Sequence, residues 1–171
     1  MRRVGDAHVY GDDVDTDRII AGKYTKTLDR SVLAAHVLED LDPTFRQRLV
    51  EGDILFGGHN FGCGSSREQA AIALSSAGVG AVVAKSFARI FFRNAINIGL
   101  PVVVAPDLEA ETGDTLEVDL GTGEVRNLTR RTTHAVSALP PVMRAILRAG
   151  GLVPYMRRTG GYPELPSEDS A

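Results

Sequence analysis

The order of apolar and polar positions predicts a chain that alternates strands with helices and then changes character. Residues 4–10 read as a first strand, followed by an acidic turn over 11–17 and an irregular loop over 19–29. Residues 31–38 fit a short helix with Ser31 at its cap. Asp42-Pro43 opens another helical turn, since proline suits a first helical position. Residues 53–56 form a short apolar strand that runs into a glycine-rich turn. A helix is expected from about 67 to 76, ending before Gly78. The apolar run 81–84 lies between a glycine and a lysine, as a buried strand would. Ser86 is placed to cap the next helix, in which Ile90, Phe91, Ala95 and Ile98 share a face, and Gly99 ends it. Residues 101–105 are again a buried strand. Strand, helix, strand, helix, strand in this order implies a parallel α/β core.

Beyond residue 114 the period shortens. Residues 115–120 alternate, Gly121-Thr122-Gly123 turns, and 124–128 return, which is a hairpin pattern. Residues 141–149 fit a short helix stopped by Gly150-Gly151. Residues 159–171 are polar, with two prolines and a cluster of acidic residues, and are expected to form a flexible tail. That leaves residues 1–158 as a single domain.

Composition narrows the class. The chain has 171 residues, 43% hydrophobic and 24% charged, which suits one globular domain with a sizeable core. The net charge is −3 and the sixteen arginines are scattered, so nothing favours nucleic acid or an anionic membrane as a partner. The longest uncharged run, 69–84, is broken by two serines and two glycines and falls short of the roughly 20 apolar residues that span a bilayer. Met1-Arg2-Arg3 is not followed by an apolar segment, so no signal peptide is expected. A single cysteine rules out an internal disulfide, and the cytoplasm is the expected location.

The chemistry concentrates in Gly57-Gly58-His59-Asn60-Phe61-Gly62-Cys63-Gly64-Ser65-Ser66-Arg67-Glu68. Glycines let the backbone approach a ligand closely, and a helix start offers unpaired N–H groups with positive partial charge. Ser65 and Glu68 have capping-box spacing, and Arg67 adds a planar fork suited to a carboxylate or phosphate. The segment therefore reads as an anion site beside a serine hydroxyl, or as a structural turn of the same composition. It is not a P-loop, because no Gly-Lys-Ser/Thr ending follows, nor a dinucleotide fingerprint, because Arg67 stands where glycine is needed. No Gly-x-Ser-x-Gly elbow is present. Asp13-Val14-Asp15-Thr16-Asp17 begins like an EF-hand loop, but Arg18 and Tyr24 occupy the positions of its glycine and bidentate glutamate. Cys63 and His59 are close in sequence, but a small buried turn residue is a simpler account of the cysteine than a thiol nucleophile.

Two motifs carry a family resemblance. Asn60-Phe61-Gly62 with Gly64-Ser65-Ser66-Arg67-Glu68 resembles the signature of the swivelling domain of aconitase-type dehydratases, and Asp13-Val14-Asp15-Thr16-Asp17-Arg18-Ile19-Ile20 resembles that domain's opening motif. The resemblance runs from about Val4 to Val153, and the length resembles the free-standing small subunits of 3-isopropylmalate dehydratase and homoaconitase. It implies an α/β fold, a three-layer β/β/α domain with a mostly parallel core sheet. It also implies a hydro-lyase that moves a hydroxyl between neighbouring carbons of a hydroxy-dicarboxylic acid, by dehydration and rehydration. A non-catalytic anion-binding or regulatory module on the same fold is the rival from another class.

The resemblance assigns roles residue by residue. Ser65 matches the catalytic serine whose alkoxide takes the substrate proton, and Asp17 matches an active-site aspartate. Arg67 matches the carboxylate-gripping arginine, with Ser66 beside it. Tyr24 and Lys26 lie where the family's substrate-selecting loop lies, Lys26 at the position that sorts an isopropyl group from an extra carboxylate. The family's Lewis acid is a [4Fe–4S] cluster held by three cysteines. This chain has only Cys63, so no cofactor is expected on it, and a large subunit carrying the cluster is the implied partner. Gln69 stands where the family often has histidine, a departure expected to matter little.

Overall fold

The computed structural model describes residues 1–161. Its strands are β1 (Arg2–Val9), β2 (Ile54–Gly57), β3 (Ala81–Ala84), β4 (Val102–Val104), β5 (Thr115–Asp119), β6 (Glu124–Asn127) and β7 (Thr132–Ala135). Its helices are α1 (Thr16–Ile19), α2 (Arg30–Ala35), α3 (Phe45–Arg48), α4 (Glu68–Ala77), α5 (Arg89–Ile98), α6 (Pro141–Ala149) and α7 (Leu152–Thr159), with a 3-10 turn at Gly22–Tyr24. The strands form one sheet in the order β4-β3-β2-β1-β5-β6-β7. The core half, β1 to β4, is parallel throughout, and β5 to β7 extend it antiparallel.

The layering follows from the connections. The crossovers from β1 to β2, β3 and β4 all step in one direction, so right-handed connections put α1 to α5 on one face. Every residue of β2 and β3 is nevertheless buried, so their other face is covered as well. The sheet itself covers it. Although three strands separate β4 from β5, both line one apolar cavity of about 230 Å³ together with Val136, Leu139 and Met143. The sheet thus curls so that its antiparallel half lies over its parallel half, giving the expected β/β/α arrangement.

Several local expectations give way to tertiary structure. Ser31 does not cap α2: Asp29 does, accepting from the Ser31 backbone N–H at 2.9 Å. Asp42-Pro43 precedes the helical turn rather than opening it, and Thr44 stands at the start of α3. The 19–29 loop is partly regular, since it takes in the end of α1 and the 3-10 turn. Ser86 does not cap α5, because its hydroxyl accepts from the Asn60 backbone N–H at 2.8 Å. Ile90 is half exposed, and the buried face of α5 is instead Phe91, Ala95 and Ile96. Besides α1 and the 3-10 turn, two elements were not anticipated. β7 is a mostly exposed edge strand of sequence Thr-Thr-His-Ala with no apolar alternation. α7 ends at Thr159, where the tail was expected to begin; the rest of that expected tail, residues 162–171, lies outside the described residues. Among the described residues no helix is long and apolar enough to cross a membrane.

An aromatic cluster supports the glycine-rich turn. Phe61 lies edge-on to Phe91 at 5.3 Å and to Phe87 at 5.9 Å between ring centroids. Gly62 sits directly on Phe91 with φ of +77°, a conformation that side chains resist, and an added Cβ would collide with the Phe91 Cβ and Cγ. Gly62→Ala should therefore destabilise the chain by about 2–4 kcal/mol, from left-handed strain plus overpacking. Chemical denaturation of the purified variant measures this. A change below about 0.5 kcal/mol, the level of an ordinary surface substitution, would refute the packing argument.

Candidate active site

The site stands at the carboxyl ends of the parallel strands, where open α/β sheets place their ligand crevices. Beyond β1 and β2 the chain continues to pair. Gly58 N–H donates to the Gly11 carbonyl at 3.0 Å, Asp13 N–H to His59 at 2.9 Å, Gly62 N–H to Val14 at 2.7 Å, and Thr16 N–H to Cys63 at 2.9 Å. Carboxylates reinforce this: Asp12 accepts from the His59 N–H at 2.6 Å, and Asp13 from the Asn60 side-chain amide at 2.8 Å. On the other flank Phe61 N–H donates to the Ser86 carbonyl at 3.0 Å, and Ala88 N–H to Phe61 at 2.9 Å. The glycine-rich turn is thus an extra, irregular strand position between the turns that follow β1 and β3.

This lacing delivers Ser65, Ser66 and Arg67 to the start of α4. The capping box does not form. α4 begins at Glu68 with Arg67 at the cap position, and no side chain bonds its first N–H groups. Ala70 N–H turns back to the Arg67 carbonyl at 3.3 Å, and the N–H groups of Glu68 and Gln69 remain available to an anion. The Ser65 hydroxyl instead lies 3.2 Å from the Thr16 hydroxyl, whose oxygen also lies 3.0 Å from the Ser65 carbonyl. Ser65 and Ser66 are exposed, while Thr16 is buried.

Asp17 arrives from the first turn of α1. The Asp15 carboxylate caps that helix, accepting from Asp17 N–H at 2.7 Å and Arg18 N–H at 3.0 Å. The Asp17 carboxylate pairs with the Arg67 guanidinium. A Cβ on Gly22 would come within 3.2 Å of the same guanidinium, so the loop after α1 presses its backbone against Arg67. Gln69, expected to have little consequence, ties that loop down through its amide, which donates to the Thr25 carbonyl at 3.3 Å.

The loop's own side chains divide differently. The Tyr24 hydroxyl donates to Glu39 at 3.2 Å, and its ring stacks on His36 at 3.8 Å. Its hydroxyl is therefore not brought to Ser65. Lys26 is exposed, and no hydrogen bond or ion pair holds it among the described residues. Ser65, Ser66 and Arg67 stand together at the start of α4 and Asp17 pairs with Arg67; Thr16, beside Ser65, is the neighbour that sequence reasoning missed, together with Asp12 and Asp13, which pin the turn at His59 and Asn60. Their signal was present as the acidic motif itself, but only pairing with residues 58–65 gives it meaning.

Cys63 is a single thiol, partly buried, and its pKa is raised first by burial and then by the nearby Asp15 and Asp13 carboxylates. Among the described residues no three His, Cys, Asp or Glu side chains converge as a metal site. A [4Fe–4S] cluster does not fit this donor set.

Comparison with known proteins places the fold in a class. Residues 45–107 match the aconitase C-terminal domain. The structure superimposes on the crystal structure of 3-isopropylmalate dehydratase from Methanocaldococcus jannaschii with a TM-score of 0.89 and 47% identity, covering 94% of this chain and 96% of that one. The 3-isopropylmalate dehydratase small subunit of Moorella thermoacetica is 53% identical over 90% of this chain and 94% of its own length. The methanogen homoaconitase small subunit of Methanothermobacter thermautotrophicus is 50% identical over 88% of each. The chain belongs to the family of aconitase-type dehydratase small subunits that these proteins represent.

The raised thiol pKa gives a direct check. Cys63 should react with iodoacetamide severalfold more slowly than a free model thiol at pH 7.5, because less of it is thiolate, and should gain rate only at more alkaline pH. Mass-spectrometric alkylation kinetics measure this. Faster reaction than the model thiol would mean that burial and the nearby carboxylates do not govern it.

Proposed function

We propose that this chain is the small subunit of a heteromeric hydro-lyase that interconverts 2-isopropylmalate and 3-isopropylmalate by dehydration and rehydration, a step of leucine biosynthesis. The observation that carries the reading is the uncapped start of α4, faced by Ser65, Ser66 and Arg67 and closed on one side by Asp17. A hydroxy-dicarboxylic acid needs such a place: donors for a carboxylate, and a base for the C–H proton beside it. In this reading Ser65 as an alkoxide takes that proton. The α4 N–H groups, Ser66 and the Arg67 fork hold the neighbouring carboxylate, where the electron pair left on carbon is delocalised. Asp17 fixes the fork.

The small-subunit relatives imply a large-subunit partner. We place the cluster on that partner, because a lone, partly buried thiol cannot hold one, and the departing hydroxyl is handled there rather than by this chain. Residues 1–158 serve as a single swivelling domain that presents the serine, and the compartment consistent with one unpaired thiol is the cytoplasm.

A second substrate reading, homoaconitase or another substituted-malate dehydratase, is favoured by one observation. Lys26 is an exposed cation that has no partner among the described residues, in the loop that leans on Arg67. It could meet an additional carboxylate, whereas an isopropyl group would require it to lie along its stem or point away.

The chain alone should be inactive, and turnover should appear when it is mixed anaerobically with a cluster-loaded large subunit. In that complex Ser65→Ala should lower kcat by roughly a thousandfold, the range for loss of a general base, without loss of assembly. Near-normal kcat would reject the base assignment, and failure of any reconstituted pair to turn over substrate would favour a non-catalytic anion-binding module.

Lys26→Leu should leave turnover of isopropylmalate unchanged or improved and should depress turnover of homoaconitate. The readout is the ratio of kcat/KM for the two substrates before and after substitution. An unchanged ratio would mean that the loop does not sort substrates through Lys26.

A further inference from the structure

We infer that Thr16 is a positioning residue for the Ser65 base, a role that rests on the proposed reaction and extends it to a residue with no assigned part. Three observations converge. Thr16 is 1% exposed, so its hydroxyl is not a solvent group. The hydroxyl donates to the Ser65 carbonyl at 3.0 Å and lies 3.2 Å from the Ser65 hydroxyl. The Ser65 carbonyl also accepts the Arg67 backbone N–H at 2.8 Å, so it keeps a donor if Thr16 turns away.

A hydroxyl has one proton and two lone-pair directions. With the Thr16 proton on the Ser65 carbonyl, which can only accept, the short contact between the hydroxyls requires Ser65 to donate to Thr16. Neutral Ser65 is thereby oriented, its proton turned inward and its lone pairs outward. When Ser65 has lost its proton to the solvent at this exposed position and is an alkoxide, it can no longer donate. A rotation about the Thr16 Cβ–Oγ1 bond then moves the Thr16 proton onto the Ser65 oxygen, and the carbonyl is left with Arg67 N–H. No polar group loses its last partner in the exchange. The Thr16 proton is not transferred: the proton from the substrate C–H bond goes to the Ser65 oxygen, and the bonding pair stays on carbon beside the carboxylate.

Its place in the fold suits this role. Thr16 is the first residue of α1, with its backbone N–H fixed on the Cys63 carbonyl at 2.9 Å and its carbonyl accepting Ile20 N–H at 3.0 Å. The hydroxyl is therefore held in register with residue 65 by the pairing of the two turns. Asp17, the next residue, reaches Arg67 from the same helix start. One short helix thus supports both the base and the cation beside it.

The test is Thr16→Val in the complex reconstituted with the cluster-loaded large subunit. Valine keeps the shape of the buried side chain and removes only the hydroxyl. The expected result is a fall in kcat of roughly a hundredfold, in the range for loss of one donor to a developing anion, with KM nearly unchanged. The acid limb of the kcat–pH profile should move to higher pH, since the alkoxide is harder to form, and the denaturation midpoint of the variant should stay close to that of the parent chain. Thr16→Ser should restore most of the rate. A Thr16→Val enzyme within twofold of the parent, or one whose loss of rate tracks loss of folding with no shift of the pH profile, overturns the inference. Ser65→Ala, assayed alongside, separates the two levels. If it stays active, the reading of Ser65 as base falls and Thr16 with it. If it is inactive while Thr16→Val behaves like the parent, only the role of Thr16 falls.

Discussion

The site depends on one constraint: a glycine-rich turn with few anchoring side chains must be held still by its backbone. Residues 57–64 include Gly57, Gly58, Gly62 and Gly64, and such a segment loses more conformational entropy on ordering than an ordinary loop. What offsets this is pairing on both sides. The turn after β1 bonds it at Gly58, His59, Gly62 and Cys63, and the turn after β3 bonds it at Phe61. Close approach is possible because the glycines have no side chains: a Cβ at Gly58 would meet the Asp12 backbone N–H, and one at Gly57 the ring of Phe61. The residues that make the turn entropically costly are therefore those that allow its flanks to lace it.

The same lacing explains why acidic residues cluster at 12–17. Asp12 and Asp13 are pinning groups for His59 and Asn60, Asp15 caps α1, and Asp17 alone faces Arg67. Four carboxylates so close together would repel one another in an unfolded turn. Here three accept hydrogen bonds from backbone or amide groups and the fourth meets a guanidinium. An acidic motif that looks like a cation-binding loop thus serves as a backbone clamp.

Much of the fold was legible because its core elements are locally consistent. The buried run 81–84, the apolar run 101–105 (buried except at Val104), the helix that stops at Gly78, the helix that stops at Gly99 and the 115–128 hairpin all carry their own period and their own stop signal. What failed were the caps. Ser31, Ser65 and Ser86 each had the right residue type near a helix start, and each hydroxyl is used elsewhere: on Asp29, beside Thr16, and for Asn60. A cap is a choice among nearby donors, and the competing partners come from segments up to 49 residues away, as Thr16 is from Ser65. β7 was invisible because an exposed edge strand has no apolar face to betray its period. The resemblance singled out Ser65, Ser66, Arg67 and Asp17, which the fold places at or against the start of α4, but the sequence held no sign that Tyr24 turns to Glu39 or that Thr16 lies beneath Ser65.

The exposure of the cluster bears on why the family divides its work between chains. The Asp17 carboxylate is 55% exposed and the Arg67 side chain 31% exposed, so their pairing is screened by water and is worth little on its own. In the open chain a substrate carboxylate can share or displace Asp17 at small cost, which suits capture but not catalysis. Water around Ser65 solvates an alkoxide without fixed, pre-oriented donors, so it lends the anion no advantage over a free serine. Covering the cluster changes both terms at once. As the local dielectric falls, each charge–dipole contact from α4, Arg67 and Thr16 toward an anion strengthens, and an unmatched charge becomes expensive. In the proposed reaction, a chain that keeps its donors pre-oriented by buried pairing, yet leaves the Ser65 oxygen exposed, gains the full strength of those donors only when another surface closes over it. In the proposed enzyme that surface is the large subunit, and solvent exclusion on assembly is what confines the reaction to the complex.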